Sequence, residues 1–96
     1  VLGPAVDPWR SLAFETMQID ARIDGSPPIQ AYSGAYRRDP LIIMAETLND
    51  LAARGIHLGA GDCVLTGSAT LPTPLRPGQT LAARFADLAT VTVSLV

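Results

Sequence analysis

The segment from Asp39 to Gly55 constrains the fold of this chain more than any other stretch. Asp39 can cap the free N–H groups of a helix start, Pro40 suits the first helical position, and Gly55 suits a left-handed stop. Between them, apolar side chains recur at helical spacing, at Leu41, Met44, Ala45, Leu48, Leu51 and Ala52. The sequence therefore predicts one main amphipathic helix over residues 40–54.

A strand is predicted before this helix, over residues 17–23. Apolar and polar residues alternate along it, which is typical of a half-buried strand; the apolar set is Met17, Ile19, Ala21 and Ile23. The Asp24-Gly25 pair that follows favours a tight turn. We therefore predict a hairpin whose second strand, residues 29–33, begins after Pro27 and Pro28, because proline cannot donate a ladder hydrogen bond.

The chain after the helix is predicted to be rich in β-structure. Residues 63–66 are predicted as a short buried strand and residues 67–73 as an irregular loop. A turn at residues 76–79 precedes two further strands, residues 80–85 and 90–95, which are close enough to form a hairpin. Strands that surround one amphipathic helix predict an α+β fold with mainly antiparallel pairing.

Length and composition limit the classes of function. A chain of 96 residues with a hydrophobic fraction of 48% fits one small domain or lobe. Since a chain this short buries only about two-thirds of its unfolded surface, we expect other segments or subunits to cover the remainder. The first residue is Val1 rather than methionine, so we interpret the start as a cut or a processing point.

Charge and cysteine content exclude several kinds of partner. The net charge is −2 and the seven basic residues, all arginine, are dispersed, so nucleic-acid binding is not expected. The absence of lysine excludes a Schiff base carried by this segment alone. The single Cys63 excludes an internal disulfide framework. No apolar run approaches the ~20 residues that span a bilayer, so no membrane partner is expected and the cytoplasm is the predicted compartment.

A series of short motifs gives the chain a family resemblance. In order they are Asp39-Pro-Leu41, Leu51-Ala-Ala-Arg-Gly55, Leu58-Gly-Ala-Gly-Asp62, Val64-Leu-Thr-Gly-Ser68 and Arg76-Pro-Gly78, followed by a final pair of strands. Upstream, Val1-Leu-Gly3, Asp24-Gly25 and Ser33-Gly34 fit the same pattern. The order and spacing resemble the C-terminal part of 2-keto-4-pentenoate hydratases and 4-oxalocrotonate decarboxylases, within the fumarylacetoacetate-hydrolase superfamily.

The resemblance carries several expectations. It implies a mostly antiparallel β-sandwich or roll with one main helix, a homo-oligomer, and a divalent Mg²⁺ or Mn²⁺ ion. It implies a 2-oxo or 2-hydroxydienoate acid as substrate, as in the meta-cleavage degradation of aromatic compounds. Residues 1–96 would be the C-terminal portion of a single catalytic domain. The family's acidic metal ligands include Glu-x-Glu, which is not present here, because the only glutamates are Glu15 and Glu46. The ligands and catalytic residues are therefore expected upstream of Val1.

The resemblance places substrate contacts on the Thr66-Gly67-Ser68 turn, which is similar to the family's pocket-lining loop. Glycine lets the backbone approach a ligand closely, and hydroxyl and N–H groups can bind a substrate carboxylate. We expect Ser68, Gly67 and Thr66 to bind substrate. The alternatives are that Ser68 satisfies its own turn and that Thr66 is an ordinary strand residue.

Other reactive side chains have plain structural interpretations. His57 is expected in a surface loop and Cys63 in the core. Arg37 and Arg38 are expected as a solvated pair or as an inter-subunit ion pair, although their guanidinium groups suit a carboxylate. Glu46 and Asp50 are expected on a solvated helix face, where Asp50 can pair with Arg54 at i, i+4. Trp9 is expected to pack at a domain edge or a subunit contact.

Three functions remain open from the sequence. The first is a metal-dependent hydratase (a lyase) of 2-hydroxydienoates. The second is a decarboxylase of the same family, since both activities share this C-terminal pattern. The third is a non-catalytic assembly subunit that keeps the fold and lacks the acidic ligands.

Overall fold

The computed structural model describes all 96 residues and contains one α-helix and one sheet. Helix α1 spans Pro40–Ala53. Strands β1 (Ile19–Ile23), β2 (Thr80–Phe85) and β3 (Ala89–Ser94) form a three-stranded antiparallel sheet in the order β1-β2-β3. The architecture is α+β with antiparallel pairing, as predicted.

The ends of α1 follow from its capping residues. The Asp39 carboxylate accepts a hydrogen bond from the Leu41 backbone N–H at 2.8 Å, and Gly55 adopts a φ of 75° just beyond the helix. No residue of α1 is buried, and the helix contacts none of the three strands. The predicted apolar stripe therefore exists but is not covered within this chain. No helix has both the length and the apolar character needed to cross a membrane.

The β2–β3 hairpin confirms the prediction for the end of the chain. β2 has the predicted bounds, and β3 begins one residue earlier than predicted. The reversal is closed by a hydrogen bond from the Leu88 N–H to the Phe85 carbonyl at 3.0 Å. The predicted turn before β2 also forms, with the Gln79 N–H donating to the Arg76 carbonyl at 3.0 Å.

The predicted hairpin between residues 17–23 and 29–33 is wrong, although its first strand exists. β1 pairs with the distant β2, with Ala21 opposite Ala83. The chain does reverse at Asp24 and Gly25, whose φ angles are 49° and 72°. After the two prolines, however, the returning segment makes only one backbone bond to β1, from the Ile29 N–H to the Ala21 carbonyl at 2.8 Å. Prolines leave gaps in a ladder, whereas β2 offers a continuous one.

The predicted buried strand at residues 63–66 is also wrong. This segment forms no strand, and Cys63 and Leu65 are both exposed, so Cys63 is not a core residue. It follows a turn in which the Asp62 carboxylate accepts a hydrogen bond from the Gly59 N–H at 2.7 Å. No neighbouring strand offers a ladder here, and a four-residue apolar run does not by itself specify one.

The predicted alternation along β1 divides the sheet into two different faces. One face is apolar and carries Ile19, Ala21, Ile23, Leu81, Ala83 and Phe85; the other is polar and carries Asp20, Arg22, Thr80, Arg84, Thr90 and Thr92. Ala21, at the middle of β1, is 4% exposed and is the one buried apolar residue. The core is therefore a small patch on the apolar face.

Arg37 ties the start of β1 to the segment that follows it. It comes directly after the 3₁₀ helix Gly34–Tyr36 and is only 9% exposed. Its guanidinium donates to the Met17 carbonyl at 2.9 Å and to the Tyr32 carbonyl at 3.4 Å. The expectation of a solvated or inter-subunit Arg37 is wrong, because two backbone carbonyls within the same chain hold it. Its neighbour Arg38 is exposed and pairs with Glu46 at 3.0 Å.

The molecule has more surface than a compact protein of its mass. Its accessible area is 7199 Å², against roughly 5,300 Å² for a folded chain of this size. The radius of gyration is 15.1 Å, against about 12.5 Å for a compact domain. The difference of about 1,900 Å² is of the order of the area that stable protein interfaces bury. Much apolar surface is thus left for other polypeptide to cover.

We expect Arg37→Met to lower the free energy of unfolding by about 2 kcal/mol, because the charged donor is lost and two carbonyls lose their partner. The adjacent Arg38→Met is the control and should cost about 0.5 kcal/mol or less, since exposed ion pairs contribute little. Urea denaturation followed by circular dichroism measures both. Equal costs for the two variants would contradict the role assigned to Arg37.

Candidate functional site

A large concave surface lies over the apolar face of the sheet. This sheet cleft has a volume of about 900 Å³ and is lined mainly by hydrophobic side chains, among them Ile19, Ala21, Leu81, Ala83, Phe85 and Val91. The N-terminal segment forms part of its wall, since Gly3 lies directly against Val91. The floor of the cleft is the apolar face of the sheet. It arises because apolar and polar residues alternate along the three strands, so that every second side chain points to the same side.

The rim opposite the sheet is the loop that contains the predicted substrate-binding residues. Backbone hydrogen bonds tie it to the segment after the first turn, from the Tyr32 N–H to the Ala69 carbonyl at 2.8 Å and from the Leu71 N–H to the Gln30 carbonyl at 2.9 Å. An isolated bridge between Ala31 and Thr70 lies between these bonds. The loop is therefore positioned, although it is not part of the sheet.

Thr66, Gly67 and Ser68 all line the sheet cleft. Gly67 has a φ of 105°, a conformation that other residues rarely adopt, and a Cβ there would point into open space. The turn thus requires glycine for its backbone conformation and not for lack of space around a side chain. The structure thus places all three predicted residues in the lining of the sheet cleft.

The hydroxyl of Ser68 already has a local partner. It donates to the Thr70 carbonyl at 2.8 Å and lies 3.4 Å from the Thr70 N–H, which is the turn-stabilising role considered from the sequence. In contrast, the peptide N–H groups of Gly67 and Ser68 make no hydrogen bond within the chain. These two exposed groups are therefore free to bond water or a ligand.

Two arginines complete the polar part of the lining. Arg37 and Arg38 both border the sheet cleft, but both guanidinium groups are engaged, Arg37 with backbone carbonyls and Arg38 with Glu46. Arg38 is the more available of the two, because its ion pair is exposed on both sides. A ligand carboxylate would have to compete with the Glu46 carboxylate for it.

Most of the remaining candidates lie away from the sheet cleft, and Trp9 is the exception. His57 and Cys63 are exposed and do not line it. Asp50 and Arg54 form the predicted i, i+4 pair at 3.1 Å on an exposed helix face. Trp9, in the 3₁₀ helix Trp9–Ser11, is part of the cleft wall.

The acidic residues of this chain do not form a metal centre. No three His, Cys, Asp or Glu side chains lie close enough together to hold an ion. The cation implied by the family resemblance does not fit these residues alone, so its ligands would have to come from other polypeptide.

Sequence reasoning missed two contributors to the cleft. One is the buried Arg37, because nothing in an Arg-Arg pair before a helix predicts that either side chain is buried. The other is the use of β2 as the neighbour of β1, which brings Leu81, Ala83 and Phe85 beside Ile19 and Ala21. The alternation in residues 80–85 was a usable signal for the second, since it places Leu81, Ala83 and Phe85 on one side.

On the polar face of the sheet, Asp20 and Arg22 form a close ion pair at 2.7 Å. The hydrogen bond from Arg22 lowers the pKa of the Asp20 carboxyl below its ordinary value. Desolvation raises this pKa, whereas the positive charges of Arg22 and Arg84 lower it further. The same hydrogen bond raises the pKa of the Arg22 guanidinium. Asp20 and Arg22 therefore neutralise each other, whereas Arg84 on the same face forms no ion pair.

No family model, curated protein or solved structure matches this chain. Its function is therefore inferred from its motifs and from the geometry of the sheet cleft.

We expect Arg22→Gln to raise the pKa of Asp20 towards the ordinary value, because the main hydrogen bond to the carboxylate is lost. Arg84→Gln should raise it less, since Arg84 acts only through its charge. A carboxylate with a lowered pKa stabilises the fold above its unfolded pKa, and this contribution disappears as the pH falls through the folded pKa. NMR titration of the Asp20 side chain measures the shift, and a larger effect from Arg84→Gln would refute this order of causes.

Proposed function

We propose that this chain forms one wall of the substrate pocket of a metal-dependent hydratase in the fumarylacetoacetate-hydrolase superfamily. The enzyme would add water to a 2-hydroxydienoate or 2-oxo-4-enoate acid in the cytoplasmic meta-cleavage degradation of aromatic compounds. One observation carries the proposal: the Thr66-Gly67-Ser68 turn lies at the rim of a mainly apolar cleft of about 900 Å³. Small-molecule pockets have this character, with apolar walls and a few polar groups that fix orientation.

The chemistry of the cleft suits the two ends of such a substrate. The apolar face of the sheet, with Leu81 and Phe85, would receive the hydrocarbon end. The free N–H groups of Gly67 and Ser68 would bind the carboxylate, and the Thr66 hydroxyl would be a further polar contact, since Thr66 also lines the cleft. These groups would orient the acid and stabilise the negative charge of its carboxylate. No residue of this chain is assigned to proton transfer or to bond cleavage.

The rest of the proposed enzyme would come from polypeptide outside residues 1–96. Acidic metal ligands and catalytic residues would be supplied upstream of Val1, and further strands would extend the three-stranded sheet into a sandwich or roll. Such additional polypeptide would cover the exposed apolar stripe of α1. It would also account for the excess of about 1,900 Å² of accessible surface. Assembly into a homo-oligomer belongs to the same proposal.

A decarboxylase of the same family would act on the same class of acid and would use the same wall. A non-catalytic assembly subunit would have the same fold and would catalyse neither reaction. The experiment below separates these alternatives by their products.

The full-length protein is incubated in parallel with a 2-hydroxydienoate monoacid and with a 2-hydroxydienedioate, whose second carboxylate can leave as CO₂, and substrate absorbance and CO₂ release are followed with and without EDTA. We expect water addition without CO₂, at least a hundredfold loss of rate on chelation, and recovery with Mg²⁺ or Mn²⁺. Release of CO₂ would identify the decarboxylase. No turnover would favour the assembly subunit, and a rate unchanged by chelation would exclude the metal mechanism.

In the same protein, Ser68→Ala should weaken substrate binding by up to about tenfold, the equivalent of one hydrogen bond at the rim. Thermal stability should change little, since the lost bond to Thr70 is exposed. Ser11→Ala is the matched control, because Ser11 makes a similar exposed bond to the Pro8 carbonyl at 2.8 Å and does not line the cleft. Normal substrate affinity in Ser68→Ala would exclude the Ser68 hydroxyl as a substrate contact and leave its backbone N–H as the proposed one.

A further inference from the structure

Gly3 is the one glycine of this chain that lack of space requires. Its φ lies outside the left-handed region, whereas six of the other seven glycines have a positive φ. A Cβ at Gly3 would lie 2.7 Å from Cγ2 of Val91, closer than two carbon atoms can approach. At Gly59, the remaining glycine, a Cβ would meet only the Asp62 carboxylate at 3.9 Å. Gly3 therefore lies where the backbone approaches the sheet too closely for any side chain.

This close approach occurs at a wall of the sheet cleft. Gly3 belongs to the N-terminal segment, residues 1–7, and Val91 belongs to β3, on the floor; both residues line the cleft. Other residues of the segment also line it, namely Val1, Leu2, Pro4 and Val6. The N-terminal segment therefore bounds the cleft where it passes over β3.

The N-terminal segment is the one part of the cleft that packing alone holds in place. The floor is held by the ladder of the three strands, and the rim loop by its backbone hydrogen bonds to the segment after the first turn. Residues 1–7, in contrast, make no hydrogen bond within the chain. The side chains of Val1 and Leu2 are 84% and 76% exposed, so they hold the segment only weakly. Packing at Gly3 and at the half-buried Val6 is what remains to place this wall.

Val91 has little freedom to make room for a larger residue at position 3. It lies within β3, paired in register with Ala83 of the central strand, and a β-branched side chain is stiff at χ1. An added Cβ would have to move from 2.7 Å to an ordinary carbon–carbon contact of about 3.5–4.0 Å, a shift of roughly 1 Å. Since the ladder fixes the strand and no hydrogen bond fixes the N-terminal segment, the segment is the part that would move. The cleft would then open above Val91.

We propose that Gly3 is a positioning residue that sets the size selectivity of the sheet cleft. Because it has no side chain, the N-terminal wall lies close to the floor at Val91 and limits the size of the hydrocarbon tail that fits. This role rests on the proposed function, in that the tail of an acid is taken to lie on the apolar face. It adds that a single backbone contact decides which tails are accepted.

The test compares butanoate and octanoate, two saturated acids that share a carboxylate and differ in tail length. Their dissociation constants for the full-length protein are measured by NMR titration, followed at the amide signals of Gly67 and Val91. Gly3→Ala should raise the ratio of octanoate affinity to butanoate affinity about fourfold, the equivalent of one further CH₂ group buried under the displaced wall. A partly unfolded variant would lose both affinities equally, so a merely structural role would leave this ratio unchanged.

An exchange of size between the two positions tests the contact itself. Val91→Ala removes the Cγ2 atom that Gly3 faces, so it should also open the cleft and raise the ratio. In the double variant Gly3→Ala/Val91→Ala, the new methyl group occupies space that Val91 has vacated and the wall returns to the floor. The ratio should therefore come back to within about twofold of the wild type, whereas independent sites would multiply the two changes.

Each substitution has a matched control. Gly59→Ala makes the same chemical change as Gly3→Ala, but its Cβ has room and Gly59 does not line the cleft. Val93→Ala matches Val91→Ala, because Val93 lies two residues further along the same face of β3 and does not line the cleft. Both controls should keep the wild-type ratio.

A ratio that does not rise in Gly3→Ala, or that rises as much in Gly59→Ala, would overturn the proposal. So would a double variant whose change is the product of the two single changes, or a wild type that binds neither acid. Neither acid is a dienoate, so these affinities do not depend on turnover. A protein that shows the expected ratios without hydratase activity would refute the proposed function alone, and an active hydratase with constant ratios would refute the role of Gly3 alone.

Discussion

The pairing of β1 with β2 is the constraint on which the rest of this structure depends. It joins residues 19–23 to residues 80–85 across most of the chain, with Ala21 opposite Ala83. Once the two strands are paired, their apolar side chains share one face and form the floor of the sheet cleft. The same pairing leaves β1 at an edge, where the returning segment bonds the Ala21 carbonyl and Arg37 bonds the Met17 carbonyl just before the strand. The rim loop is then held opposite the floor through residues 30–32.

Long-range pairing of this kind is entropically costly, since a long loop must close before any ladder bond forms. Little in this chain offsets that cost, because one apolar residue is buried and the accessible area is 7199 Å². The internal bonds of Arg37 are therefore disproportionately important, as they connect Met17, just before β1, to the segment of residues 32–37. A chain with so thin a core gains much from any partner that covers its apolar surfaces.

Local features of this fold could be predicted from the sequence, and non-local ones could not. α1 followed from the cap at Asp39, the proline after it and the glycine at its end, and the β2–β3 hairpin followed from two alternating runs joined by a short turn. Both depend on neighbouring residues. The partner of β1 depends on a competition between a nearby segment with prolines and a distant segment without them, which a local pattern does not decide. For the site, the motif located Thr66, Gly67 and Ser68 on one loop, but the apolar floor opposite them and the inward Arg37 depend on the tertiary arrangement.

The separation of α1 from the sheet has a thermodynamic consequence. A helix of 14 residues is only marginally stable in water, because nucleation is costly and helices in proteins depend on tertiary packing. α1 has good caps but receives no support from any strand. Its winding and the covering of Leu41, Met44 and Leu48 should therefore be coupled, so that whatever polypeptide docks on this stripe also sets how much of the time the segment is helical.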